Sequence, residues 1–195
     1  VGAVERQLGP IDFLVSNAGV HGDADWSDHF PEETRDWLAA FRVNTLSRVW
    51  ACEAVLPSMK ARRFGRIVNV SSVAALEGQP AHEAYSATRA AELSYTQALA
   101  RQVGAWSITV NAVLPGLVET DMATSLWKHI GKRYGAAVAG SDPAAWFRRT
   151  VEMLTPLRRP QTADDIGWMV AFLCSERARN VTGQALNVDG GMRMH

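Results

Sequence analysis

Short apolar segments alternate with longer helical patterns along the whole chain, and this alternation narrows the possible folds more than any other feature. The apolar segments span 11–16, 66–71, 107–113 and 184–188. A run that is both short and apolar is typical of a strand buried in a parallel sheet. Strands separated by helices predict βαβ units, and therefore an α/β fold built on a parallel sheet.

Three longer segments carry the helical patterns. The first helix is predicted to begin at Pro31 and to end before Gly65, because proline and acidic residues suit a first helical turn. The second is expected over 82–103, and the third opens with Thr162 as its N-cap and Asp165 at position N3. The buried face of the first helix is expected to consist of Trp37, Phe41, Val49, Cys52, Leu56 and Met59.

Length, charge and cysteine use limit the class of protein. The 195 residues carry no net charge and predict a single domain over 1–195 without nucleic acid or a membrane surface as partner. No apolar run reaches the ~18 residues of a transmembrane helix, and the first ten residues, VGAVERQLGP, lack the features of a signal peptide. Cys52 and Cys174 are expected in the core of a cytoplasmic protein. The histidines are scattered, and no metal site is predicted.

Small, polar or glycine-bearing segments follow each predicted strand. They are NAG at 17–19, SSV at 71–73, PGLVET at 115–120 and VDGG at 188–191. Ligands of open α/β sheets bind beyond the carboxyl ends of the strands. The functional site is therefore expected where these four segments meet.

Four polar residues in and near these segments are candidates for chemistry. Tyr85 and Arg89 lie four residues apart, on one face of the second helix. Ser72 lies just past the second strand, and Asn44 lies in the middle of the first helix. Taken singly, each has a structural interpretation: a solvated Tyr–Arg contact, a helix cap for Ser72 and a satisfied buried amide for Asn44.

Taken together and in order, the motifs resemble the short-chain dehydrogenase/reductase family, and most of all its 3-oxoacyl-[acyl-carrier-protein] reductase branch. The resemblance covers nearly the whole chain. The matching stretches are LVSNAG (14–19), Asn44 in RVNTLS, GRIVNVSSVAA (65–75), YSATRAA (85–91), VNAVLPGLVETDM (110–122) and TGQALNVDGGM (182–192).

The resemblance implies an oxidoreductase with a partial Rossmann-like, doubly wound sheet. It implies hydride transfer between NAD or NADP and a small molecule, so that a carbonyl and a secondary alcohol interconvert. It also implies a homo-oligomer, a dimer or tetramer, formed through the helices that carry Asn44 and Tyr85.

The resemblance also implies a role for each matching residue. Tyr85 would be the general acid/base, Ser72 would orient the substrate oxygen, and Asn44 would hold a water of a proton relay. A phenol is a weak base near neutrality unless a fixed cation favours the phenolate, and Arg89 stands where the family places that cation. The implied cofactor-binding residues are Asn17, Ala18, Gly19, Tyr85, Arg89, Pro115, Gly116, Val118 and Thr120.

Arg89 is the first departure from the family pattern, which has lysine at this position. Arginine keeps the positive charge but stays protonated in proteins, so it cannot pass a proton. We therefore expect impaired activity.

The second departure is the glycine-rich turn, roughly TGxxxGIG, that seats the cofactor pyrophosphate in the family. No such motif occurs in the 195 residues, and the chain is interpreted as the C-terminal catalytic portion of the fold, truncated before the fourth family strand. Strand 11–16 would then be an exposed apolar edge. The alternative is a non-catalytic member that acts only through subunit assembly.

Residues 121–160 match the variable substrate lid of the family and are expected to be irregular with helical pieces. Its aromatic and apolar side chains are candidates for a substrate pocket, and its basic side chains for binding an anionic substrate; an amphipathic lid with a solvated basic face is the alternative. The pocket candidates are Leu126, Trp127, Trp146 and Phe147, and the basic residues are Lys128, Lys132, Arg133, Arg148, Arg149, Arg158 and Arg159.

Overall fold

The computed structural model describes residues 1–194 and contains a four-stranded parallel sheet with strands in the order β1-β2-β3-β4. The neighbours in this order are also neighbours in sequence, as expected for one contiguous part of a doubly wound sheet. The α/β prediction is confirmed. The strands are β1 (Phe13–Ser16), β2 (Gly65–Val70), β3 (Ile108–Pro115) and β4 (Ala185–Val188).

Helices connect the strands and cover both faces of the sheet. They are α1 (Gly2–Leu8), α2 (Thr34–Ala40), α3 (Ser47–Arg62), α4 (Glu83–Val103), α5 (Asp121–Tyr134), α6 (Ala136–Ala139), α7 (Pro143–Leu154) and α8 (Ala163–Cys174). The predicted capping box of α8 is confirmed. The Thr162 hydroxyl accepts from the Asp165 N–H, and the Asp165 carboxylate accepts from the Thr162 N–H. None of the helices described here combines the length and apolarity that a bilayer crossing requires.

The first helix begins later than predicted, at Thr34 rather than Pro31. A second capping box sets this start, because the Asp36 carboxylate accepts the Glu33 N–H at 2.7 Å. Asp36 also accepts the Asp23 N–H and contacts His29 Nε2 at 2.9 Å. One buried carboxylate therefore fixes both the start of the helix and the loop before it.

The predicted buried face of the first helix is wrong at its N-terminal end, where Trp37 and Phe41 are 42% and 44% exposed. A π-turn, Phe41–Leu46, separates α2 from α3 and adds one residue to the helical repeat. The face that is buried in α3 therefore continues one position earlier in α2, at Asp36 and Ala40. Cys52, Leu56 and Met59 are buried as predicted, and Val49 is half-buried.

The core consists of two apolar layers, one on each face of the sheet. One layer packs α3 and α4 against β2 and β3, and the other packs α8 against the opposite face. Cys52 is fully buried in the first layer, which confirms its predicted core position, and this burial raises the pKa of its thiol to about 11. Cys174 is half-buried in the second layer.

The 121–160 segment is mostly helical rather than irregular, because α5, α6 and α7 occupy most of it. Trp146 and Phe147 are buried in a small core of their own with Leu126 and Trp127 packed against them. These four side chains pack against one another within the segment. The basic residues other than Arg133 are exposed, which matches the amphipathic alternative.

Strand β1 forms an edge of the sheet in the described structure, where it pairs with β2 alone. Phe13 and Val15 are 51% and 43% exposed along this strand. An apolar edge strand with open hydrogen-bonding groups favours pairing with another chain.

We expect the Val15→Lys variant to associate several-fold less than the parent chain, because a charged side chain on an edge opposes strand pairing. Sedimentation velocity over a range of concentrations measures the associated fraction. Leu8→Lys is the matched control, since Leu8 is 83% exposed but lies in α1. Equal association of Val15→Lys and the parent would contradict the edge interpretation.

Candidate active site

The four segments that follow the strands lie at one end of the sheet, as predicted. Gly19 follows β1, Ser72 follows β2, and Gly116 follows β3 and donates its N–H to Val188 O of β4 at 3.1 Å. The carboxyl ends of parallel strands thus gather the candidate residues. Asn17 and Ala18 are exposed, while Gly19 is half-buried.

Gly116 cannot carry a side chain in this arrangement. A Cβ atom there would lie 2.5 Å from Gln161 Oε1 and 2.9 Å from the Cα of Asp189. The next turn is fixed by a bridge between Val118 and Gln161. The segment from Pro115 to Thr120 therefore leaves β3 on a defined path, and the exposed Thr120 is the N-cap residue of α5.

The Asn44 side chain connects the turn after β1 to helix α4. Its oxygen accepts the Val20 N–H at 2.9 Å, and its amide group donates to Val20 O and to Thr88 Oγ1, both at 2.9 Å. Asn44 is fully buried in the π-turn. This is the satisfied structural amide that the sequence left open as an alternative. Because these bonds use both amide hydrogens, a water bound by Asn44 can only donate to the remaining lone pair of Oδ1.

The two serines after β2 hold different partners. Ser71 donates its hydroxyl to Arg89 O at 3.3 Å, which ties the end of β2 to α4. Ser72 accepts the Ala74 N–H at 3.1 Å and caps a short 3-10 turn, Val73–Ala75. The hydroxyl proton of Ser72 remains available for a ligand while its oxygen acts as the cap.

Tyr85 lies in the first turns of α4 and is 7% exposed. The N-terminus of this helix is capped from the loop before α2. Glu32 accepts the Ala84 N–H at 2.8 Å with one oxygen and the Trp26 Nε1–H at 2.9 Å with the other. The Thr88 hydroxyl, one turn further along, donates to Tyr85 O at 2.8 Å. These bonds fix the phenol relative to the turn after β1.

Arg89 lies against the face of Tyr85, with its Cζ 4.8 Å from the ring centroid. Its Nη1 donates to both oxygens of Glu92, at 3.0 and 3.1 Å, and to Val70 O at 3.3 Å. Its Nη2 lies over Gly19, where a Cβ atom would come within 1.9 Å. The turn after β1 needs glycine here because the guanidinium occupies the space of a side chain.

A second arginine completes a buried ionic cluster. Arg48 Nε lies 2.6 Å from Glu92 Oε1, and Arg48 Nη2 donates to Ala18 O at 2.8 Å and to Val70 O at 3.2 Å. Arg48, Arg89 and Glu92 are each at most 3% exposed. Buried charges persist only when paired and hydrogen-bonded. This cluster joins α3 and α4 to the ends of β1 and β2.

Three histidines that are scattered in sequence lie close together, and two of them contact Tyr85. His21 meets the Tyr85 ring edge to face at 4.7 Å, and His82 stacks on it at 5.7 Å. Trp26 lies between His21, at 4.5 Å, and His129, at 4.0 Å. Within residues 1–194, no group of three or more His, Cys, Asp or Glu side chains is arranged to hold a metal ion.

His21 and His82 are uncharged at neutral pH. Burial, followed by the charges of His82, Arg89 and His129, holds the pKa of His21 well below its usual value. Burial likewise lowers the pKa of His82 to about 4. His129 is fully buried, and the contact of its Nδ1 with Trp26 O at 3.0 Å requires a proton on that nitrogen.

Sequence reasoning missed the ionic cluster and the histidines. A weak signal existed for the cluster, because Arg48 follows Asn44 by four residues and Glu92 follows Arg89 by three. Charged residues at such spacing usually lie in a solvated helix face, so the pattern alone does not indicate burial. Nothing in the sequence places His129 against Trp26, since the two are 103 residues apart in the chain.

Comparison with known proteins gives a matching family model and several related sequences. The family model described as Enoyl-(Acyl carrier protein) reductase matches residues 1–193. An acetoacetyl-CoA reductase of Shinella zoogloeoides is 34% identical over 191 residues, which are 98% of this chain and 71% of that protein.

Two further proteins are similar to this chain in sequence or in fold. The 3-oxoacyl-[acyl-carrier-protein] reductase FabG of Chlamydia muridarum is 33% identical over 186 residues, covering 95% of this chain and 67% of that protein. The crystal structure of an NAD+-bound xylitol dehydrogenase superposes with a TM-score of 0.81 at 28% identity, covering 97% of this chain and 72% of that one.

We expect Gly19→Ala to destabilise the fold by about 1–3 kcal/mol, because the new methyl group overlaps the Arg89 guanidinium and Glu92 holds that group in place. Urea unfolding measures the loss. Gly78→Ala is the matched control, since no heavy atom lies within 4 Å of a Cβ atom there. Equal unfolding midpoints for the two variants would show that Arg89 moves aside freely.

Proposed function

The chain belongs to the short-chain dehydrogenase/reductase family, and we propose on that basis that it reduces the carbonyl group of a 3-oxoacyl thioester with a nicotinamide cofactor. One observation carries the proposal. The Tyr85 phenol and the Arg89 guanidinium lie 4.8 Å apart, held together at the carboxyl ends of β1 and β2. The thioester is proposed because two relatives are named as reductases of such substrates.

The residues present fit the nicotinamide half of such a cofactor. Arg89 Nε is buried without a hydrogen-bond partner in the described structure. An orphaned donor beside Tyr85 suits the hydroxyl groups of a ribose. We assign the turn Asn17, Ala18 and Gly19 to the adenosine side of the cofactor. The loop of Pro115, Gly116, Val118 and Thr120 is assigned to the nicotinamide side.

The cofactor supplies a hydride when bound, and residues of the protein donate the proton. Tyr85 donates its hydroxyl proton to the substrate oxygen as negative charge develops there. Arg89 stabilises the phenolate that remains, since it is a fixed cation on the ring face. Ser72 orients the substrate oxygen with the proton that its capping role leaves free. Asn44 contributes by holding the turn after β1 against α4.

Assembly is a second candidate function, or a companion of the first. Four large apolar side chains are exposed on α2, the π-turn and α3, and they are Trp37, Leu38, Phe41 and Trp50. Exposed small residues, including Ala87 and Ala90, line α4. These surfaces suit a homo-oligomer formed through the helices near Asn44 and Tyr85. The Val15→Lys variant removes only the association that runs through β1, so any association that remains in this variant is assigned to the helices.

The proposed function is tested by adding NADH or NADPH and then acetoacetyl-CoA to the purified chain. We expect saturable binding at micromolar cofactor, read as energy transfer from tryptophan to the reduced nicotinamide. We also expect cofactor oxidation that Tyr85→Phe lowers at least a hundred-fold, because general acid/base catalysis contributes about 10²–10⁴-fold. Tyr134→Phe is the control, since Tyr134 is exposed at the end of α5. Absence of binding at millimolar cofactor would refute hydride transfer and leave assembly.

We expect Arg89→Lys to raise kcat about two- to ten-fold at saturating cofactor. Lysine keeps the charge beside Tyr85 and Glu92 but, unlike arginine, can release a proton. Arg89→Gln is the control, because it removes the charge while keeping hydrogen-bond donors, and its kcat should fall below that of the parent. The steady-state rate of NADPH oxidation measures all three. An unchanged or lower kcat for the lysine variant would mean that proton release at position 89 does not limit turnover.

A further inference from the structure

His21 differs from His82 and His129 in its position on a cavity. It lines a cavity of about 460 Å³ bounded by the turn after β1, the π-turn and α5, with Trp26, Val43 and Met122 among the other lining residues. By contrast, His82 Nδ1 and His129 Nε2 are buried atoms without a hydrogen-bond partner in the described structure. His21 thus contacts both the Tyr85 ring, at 4.7 Å, and the cavity.

The proposed reaction leaves a proton deficit at Tyr85. After each reduction the phenolate must regain a proton before the next substrate binds. Arg89 is the nearest charged group, but a guanidinium stays protonated and does not pass protons. Some other group must therefore connect the phenol to water.

We propose that His21 carries this proton from the water of the cavity to Tyr85, an inference that rests on the proposed function. A ring N–H of His21 gives its proton to the phenolate oxygen, directly or through one water. The other ring nitrogen takes a proton from a cavity water, and the resulting hydroxide is neutralised in bulk solvent. Each turnover then consumes one hydride and one solvent proton, as reduction of a carbonyl to an alcohol requires.

The electrostatic surroundings of His21 suit a neutral relay. Its pKa is held well below the usual value, first by burial and then by nearby positive groups, so the imidazole is uncharged at neutral pH. A neutral imidazole has one donor and one acceptor nitrogen and can therefore take a proton on one side as it gives one on the other. The titratable or charged groups that face it are Tyr85 and Arg89 of α4, the N-cap residue His82, and His129 of α5.

A packing role for His21 predicts different behaviour from a relay. The ring also packs on Trp26, so its removal affects local order in either case. If His21 is a proton relay, a small proton carrier added to the solution can take over its role and restore turnover. A second residue that can pass protons beside Tyr85 can also take over that role. Neither change compensates for the loss of a packing role. Both properties are measurable in the 195-residue chain.

The test compares His21→Ala and His82→Ala in acetoacetyl-CoA reduction, with and without added imidazole. We expect kcat of His21→Ala to fall at least ten-fold and to recover several-fold as imidazole enters the vacated space next to the cavity. His82 also stacks on Tyr85 but does not line the cavity, so any loss in His82→Ala should not be rescued. His21→Gln, which keeps a polar side chain of similar size, should lose activity like His21→Ala and decides the question where the alanine variant fails to fold.

A double substitution provides an independent readout. Arg89→Lys should raise kcat more in the His21→Ala background than in the parent, because lysine then supplies the missing proton path. Parental kcat in His21→Gln, or equal effects of Arg89→Lys in both backgrounds, would overturn the relay while leaving the proposed function intact. Absence of turnover in the parent chain would overturn both.

Discussion

The functional end of the molecule depends on the ionic contacts of the buried Glu92 carboxylate. It pairs with Arg48 of α3 and with Arg89 of its own helix. These arginines in turn hold carbonyl oxygens at the ends of β1 and β2. Removing one partner of a buried ion pair costs about 3–5 kcal/mol, because the other charge is left unpaired. The positions of Gly19 and Arg89 therefore depend on this ionic cluster, which acts together with the hydrogen bonds of Glu32 and Asn44.

Carboxylates play the same organising role in the loop that covers the site. Asp36 is fully buried, and it receives the backbone N–H groups of Asp23 and Glu33. Glu32 joins Trp26 to the first turn of α4. The loop carries His21 and Trp26. Asp36 and Glu32 hold it in place, because their carboxylate oxygens accept hydrogen bonds from backbone N–H groups and from the Trp26 indole. A polar loop of this kind is ordered by specific hydrogen bonds rather than by an apolar core of its own.

The fold and part of the site could be predicted from the sequence, and the limits have physical causes. A short apolar run indicates a strand that is buried on both faces, so the parallel sheet could be predicted. The carboxyl ends of parallel strands lie at one end of the sheet, so the meeting of NAG, Ser72 and Pro115 there could be predicted as well. The exposed face of α2 did not, because one extra residue in the π-turn shifts the helical phase and no residue type encodes that shift. The Arg48, Glu92 and His129 contacts join segments far apart in the chain, and periodicity carries no information about such pairs.

The packing of Arg89 on Gly19 limits how this chain can change over evolutionary time. A substitution at position 89 alters the charge that Glu92 balances and the space that residue 19 must leave empty. Three positions on two segments of the chain are therefore coupled, and their mutational effects do not add. A change at position 89 therefore has consequences at positions 19 and 92 as well, and its effect depends on which residues stand there.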